Sequence, residues 1–98
     1  MKYHLIVSSE VKNRISQITD YVFMNWGLIV YQNLLDELEH CFHIIELNPH
    51  TFPLSLQNTN IRECVVTPLN KIFYTIQGSD IIILSIEDVR MDPRKMLF

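Results

Sequence analysis

The chain has 98 residues, 48% of them hydrophobic and 19% charged, with two glycines and a formal net charge of −3. This length supports one domain, residues 1–98, and the composition excludes a disordered chain. The acidic balance argues against a protein that grips nucleic acid over its whole surface, so any such role needs a local basic cluster or a partner.

Residues 2–7 alternate, with Tyr3, Leu5 and Val7 on one face, which predicts a first strand. Ser8-Ser9-Glu10 supplies an N-cap and an acidic first turn. Val11, Ile15, Ile18, Val22 and Trp26 then make one helical stripe, and Trp26 is expected to complete it as a buried ring. Gly27 breaks the pattern. A second helix is predicted over about 28–47, with Tyr31, Leu34, Leu35, Leu38, Cys41, Phe42 and Ile45 on its apolar face and Asp36, Glu37, Glu39 and Glu46 outside. Asn48-Pro49 ends it. Two helices joined at one glycine are expected to fold back as a hairpin.

Residues 48–60 carry no Lys, Arg, Asp or Glu and include Pro49, Pro53 and three asparagines, the composition of a loop. Three strands are predicted after it: Ile61 to Val66, Lys71 to Gln77, and Ile81 to Ile86, the last two joined by a Gly78-Ser79 turn. The unbroken run Ile81-Ile82-Ile83-Leu84-Ser85-Ile86 belongs to a strand flanked on both sides. The expected fold is therefore α+β, β-α-α-β-β-β. Its four-stranded antiparallel sheet has order 1-4-3-2, with the helix hairpin on one face.

Nothing reaches the roughly 18 consecutive apolar residues of a membrane span. The N-terminus is too short and too β-like for a signal peptide, so a cytoplasmic location is expected. Cys41 and Cys64 stand in apolar contexts and match no zinc spacing, as expected of buried thiols in a reducing compartment. Glu37, His40 and His43 recur at i,i+3, but a carboxylate metal bundle needs a second Glu-x-x-His copy that the chain lacks. No metal and no cofactor is expected.

The order of elements resembles the RelE/ParE superfamily of bacterial toxins over nearly the whole chain. Ile61-Arg62-Glu63 is similar to the Arg that opens the family's second strand, and Lys71-Ile72-Phe73-Tyr74-Thr75-Ile76 to its aromatic-rich third. Ile81 to Ile86 followed by Glu87-Asp88-Val89-Arg90 is similar to its fourth. The tail Asp88-Val89-Arg90-Met91-Asp92-Pro93-Arg94-Lys95-Met96 resembles the Asp-Thr-Arg-Gln-Asn-Pro-x-Lys-Leu ending of a ParE-like branch, and is the most specific match. The resemblance implies the toxin of a type II toxin–antitoxin module, a growth inhibitor of the plasmid-stabilisation kind. It would be neutralised by a cognate antitoxin in a hetero-oligomer. ParE-like members poison DNA gyrase; RelE-like members cut mRNA on the ribosome. A third reading is a degenerate toxin that retains only antitoxin binding.

Metal-independent RNA cleavage needs a base, cations around the phosphate and an acid for the leaving oxygen. The candidate functional set is Arg62, Arg90 and Arg94, with Lys71 and Tyr74 in support. No lysine precedes Arg62 in the loop or second strand, and no Tyr or His follows Arg90, both departures from the nuclease pattern. The alternative for Arg62 and Arg90 is a structural salt bridge to Glu63, Glu87 or Asp88, and for Tyr74 a place in the core. The uncharged 48–60 loop suits protein contact better than RNA phosphate, which favours a protein target such as gyrase. For the antitoxin, the expected contact residues are Ile72, Phe73, Tyr74, Met96, Leu97 and Phe98.

Overall fold

The computed structural model describes residues 2–91. Five elements follow one another: β1 (His4–Ile6), α1 (Ser9–Leu47), β2 (Arg62–Thr67), β3 (Asn70–Gln77) and β4 (Asp80–Asp88). The sheet order is β1-β4-β3-β2, as the isoleucine run predicts.

The two expected helices form one helical span, α1, broken at Gly27 (φ 87°, ψ −177°). At about 1.5 Å per residue a straight helix of this length would measure nearly 60 Å. The longest dimension of the molecule is 39 Å. The span therefore folds back into two arms, and Phe23 meets Tyr31 edge-to-face across the bend at 5.4 Å. The Ser8 hydroxyl caps the first arm by accepting from the Val11 amide at 3.1 Å. At the other end, the Asn48 amide donates to Ile44 O at 2.9 Å.

Both arms lie on one sheet face. Val11, Ile18, Val22, Leu34, Leu38 and Ile45 pack against Cys64, Ile72, Tyr74, Ile81, Ile83 and Ile86, all buried. Strand alternation explains the selection: Ile72 and Tyr74 on β3 face the arms, opposite Ile86 and Ile83 on β4. The pairing slips between Phe73 and Tyr74, so Leu84 is bulged out of register and left exposed.

The sheet is mixed, which corrects the expectation of a purely antiparallel one. β1 runs parallel to β4, with His4 opposite Asp80 and Ile6 opposite Ile82. The reason is the number of chain reversals. Two residues separate β1 from α1, and the first arm continues along β4 rather than turning back: Arg14 pairs with Glu87, and Trp26 lies under Arg90. Only Gly27 and the 48–60 loop reverse the chain before β2. Strand β2 therefore runs the way β1 does, and two further hairpin turns bring β4 into the same direction.

Trp26 is a second correction. Trp26 is 45% exposed: β4 ends at Asp88, and among the described residues no strand lies beneath the last turn of the first arm. The indole instead packs on Tyr21 at 5.5 Å, and the Arg90 guanidinium sits 4.4 Å from its centroid.

Candidate functional site

The predicted site residues do not form one cluster: Arg62 and Tyr74 stand opposite each other on β2 and β3 and share the loop at Pro49 to Phe52, whereas Lys71 and Arg90 each have a separate neighbourhood. Arg62 opens β2 at the sheet edge. Its Nη1 donates to Phe52 O at 2.6 Å and His50 O at 3.1 Å. The 48–60 loop has no acid to offer it, so backbone carbonyls take that role. The same loop is tied to the sheet by Glu63 N to Pro53 O at 3.0 Å and Ser55 N to Ile61 O at 2.7 Å. Arg62 is thus the clasp of the loop, and among the described residues it joins no salt bridge.

Tyr74 faces the arms from the middle of β3 and is fully buried. Its hydroxyl donates to Pro49 O at 2.6 Å, and Phe52 packs edge-to-face on its ring at 6.4 Å. Burial pushes the phenol's pKa up, against the pull of Arg62. A phenol so placed is a structural donor and does not exchange protons near neutrality. Lys71, on the opposite face, pairs with Glu63 across the β2–β3 ladder at 3.4 Å.

Arg90 belongs to a closed polar corner at the end of β4. Its Nε and Nη2 grip Asp88 Oδ1 and Oδ2 at 3.0 and 2.5 Å, and its amide donates to Oδ1 at 2.8 Å. Asn70 Nδ2 adds a bond to Oδ2 at 2.7 Å, and the Thr67 hydroxyl donates to Asn70 Oδ1 at 2.7 Å. Asp88 is fully buried. Burial alone would raise its pKa, but the hydrogen bonds from Arg90 and Asn70 outweigh it and hold the carboxyl below its usual range. Of the salt-bridge partners weighed for Arg90, Asp88 is the one it takes.

Arg94, Met96, Leu97 and Phe98 lie outside the described residues. The other three proposed contact residues require correction. Ile72, Phe73 and Tyr74 are all fully buried, so none presents its side chain to a partner. Phe73 and Glu87 lie on the sheet face away from the arms and are nevertheless buried, so that face is not bare.

Sequence reasoning missed three features. Arg14, on the first arm, reaches Glu87 at 3.2 Å, an ion pair spanning 73 positions that no local pattern signals. A groove of about 430 Å³ runs between the arms and the β2–β3 turn, walled by Val22, Val30, Leu34, Pro68 and Leu69, with Arg90 at its side. The third is the bend of the arms, where Phe23, Met24, Leu28 and Ile29 are exposed. Its signal is legible: Tyr21 to Leu35 is fifteen residues without one Asp, Glu, Lys or Arg.

Cys41 and Cys64 are buried and reduced, and burial pushes both thiols up in pKa. Such thiols make poor nucleophiles at neutral pH. Among the described residues no three His, Cys, Asp or Glu side chains converge as a metal site, and no helix is long and apolar enough to cross a membrane. No model of a known protein family matches the chain, and no curated protein is significantly similar to it. What the structure defines is a class of architecture: two helical arms over a four-stranded mixed sheet of order 1-4-3-2.

Proposed function

We propose that this chain is a ParE-like toxin of a type II toxin–antitoxin module, acting in the cytoplasm by binding a protein target such as DNA gyrase. The strand order 1-4-3-2 under a folded-back pair of helical arms supports the superfamily reading, together with the Asp88 to Met96 tail motif. The observation that carries protein binding over RNA cleavage is the employment of the candidate chemistry. Arg62 holds a loop, Arg90 closes a corner, Lys71 pairs with Glu63 and Tyr74 anchors Pro49. A nuclease needs such groups free to meet phosphate and leaving oxygen. The antitoxin is assigned to the groove beside Val30 and Leu69, whose apolar walls fit the hydrophobic face of a partner segment.

The test is induced expression in a bacterial host, followed by assays on purified protein. Growth arrest with gyrase-dependent DNA cleavage, and without new mRNA ends in translation extracts, is the expected result. Mapped ribosome-dependent cuts would establish the RelE-like alternative instead. Arrest that never occurs, with a neighbouring gene product still captured tightly, would leave only the degenerate, antitoxin-binding reading.

A further inference from the structure

The bend of the arms exposes several large apolar side chains on a stretch that carries no charge. Met24 is 82% and Ile29 75% exposed, and Phe23, Leu28 and Leu35 are exposed beside them. Of these five, none lines the groove. The bend is also stiff. Gly27 sets the reversal, and the Phe23–Tyr31 ring pair ties one arm to the other. A hydrophobic surface held open in this way marks an interaction site.

We propose that this bend is the interface between two copies of the chain, joined tip to tip about a twofold axis. Three observations select a second copy. First, a twofold interface places residues close to the axis beside their own counterparts, so charge there repels itself. The fifteen residues from Tyr21 to Leu35 carry none. Second, Asp20 and Asp36 bound that stretch on the two arms, and the second arm continues with Glu37 and Glu39. Deeper overlap would oppose like charges, so the neutral stretch limits the overlap to about two helical turns. Third, the area fits. At ordinary side-chain sizes, the five apolar residues expose on the order of 600 Å², against about 800 Å² per partner in a standard interface. The exposed, uncharged Asn25 and Gln32 supply a rim. The acidic second arm and the net charge of −3 disfavour an anionic lipid surface or nucleic acid as the occupant.

The experiment is sedimentation velocity on the purified full chain from about 1 to 100 µM, a range that resolves micromolar association. Met24→Glu and Ile29→Glu are run in parallel, with circular dichroism as the fold check. Met24→Gln and Ile29→Gln serve should a glutamate variant misfold. The wild type should sediment at twice its 11.6 kDa mass. Each glutamate variant should weaken the dimer at least about 30-fold, the loss expected at an interface centre. A wild type that stays monomeric at the highest concentration overturns the proposal, and co-sedimentation of that monomer with phosphatidylcholine vesicles would assign the bend to lipid. A dimer untouched by all four substitutions overturns the surface, because the contact then lies elsewhere. None of these outcomes depends on whether the chain arrests growth, so the toxin reading stands or falls separately.

Discussion

The corner at the end of β4 and the bend of the helical arms meet where Arg90 lies over Trp26, yet they are built in opposite ways. In the corner every strong polar group has a partner: both oxygens of Asp88 accept from Arg90, and Asn70 and Thr67 complete the network. The bend carries no charge, and its apolar side chains face outward. Among the described residues, Arg62, Arg90, Lys71 and Tyr74 are consumed by the fold, and what the bend offers is hydrophobic. In this molecule a guanidinium is weak testimony for catalysis, whereas an exposed Met24 or Ile29 is strong testimony for contact.

The sharpest way to break the comparison is to open the corner. Arg90→Ala leaves Asp88 buried with an uncompensated charge, for which about 3–5 kcal/mol of destabilisation is expected, read as a lowered denaturation midpoint. The effect should depend on pH. In the wild type the folded pKa of Asp88 is depressed, so its contribution is present above the unfolded value of about 3.9 and is lost as pH falls through the lower folded value. Without the guanidinium, burial is opposed only by the Asn70 amide and the backbone N–H of residue 90, so that pKa rises and protonation relieves the variant. The gap between wild type and Arg90→Ala should therefore narrow on acidification. A gap that is constant from pH 7 to pH 3 would show that Asp88 does not set it.

Gly27→Ala should cost about 1–3 kcal/mol through backbone strain alone, because its φ and ψ lie in a region open essentially only to glycine. Beyond its own chain neighbours and helix backbone, nothing lies within 4 Å of where the added Cβ would sit, so packing against the rest of the molecule contributes nothing. A stability equal to wild type would mean the bend adopts a different backbone in solution.

Tyr74→Phe should cost about 1–3 kcal/mol, since the buried Pro49 carbonyl loses its donor. The same variant separates structure from catalysis. Growth arrest should survive in proportion to the folded fraction; abolished arrest by a fully folded variant would make the phenol functional.

How much of this was legible follows from what each residue type can announce. The Ile81–Ile86 run has no polar face to give to solvent, so a central β4, and with it the strand order, could be read directly. The reversal at Gly27 was equally open to reading, because the apolar periodicity stops there. The direction of β1 was not. It depends on whether the chain turns between Ile6 and Ser9, and a three-residue strand leaves no pattern that records the turn. The arginines were ambiguous for a different reason. Arg90 stands two residues from Asp88, which allows a salt bridge, but the burial that makes the pair binding comes from Asn70 and the arms, distant in sequence. Arg62 was harder still, since its partners are backbone carbonyls and every residue has one. Trp26 was misjudged because helical periodicity shows which face points inward and not where the sheet beneath it ends.

The smallest expected effect lies at the bend, and its size is what makes it informative. Ile29→Ser removes a side chain that is 75% exposed, so little buried area is lost on folding, and the stability of the monomer should change by no more than about 0.5 kcal/mol. The measurement must be made at low micromolar concentration. Binding between folded copies adds stability that grows with concentration by mass action. If the bend is a twofold interface, wild type and Ile29→Ser should unfold together when dilute and diverge when concentrated, the wild type alone gaining. Coincident curves at every concentration would remove the interface and leave the bend an exposed apolar surface with no self-association. A difference already present in the dilute samples would instead show that Ile29 is packed within its own chain, and that the contrast between a consumed corner and an open bend is drawn in the wrong place.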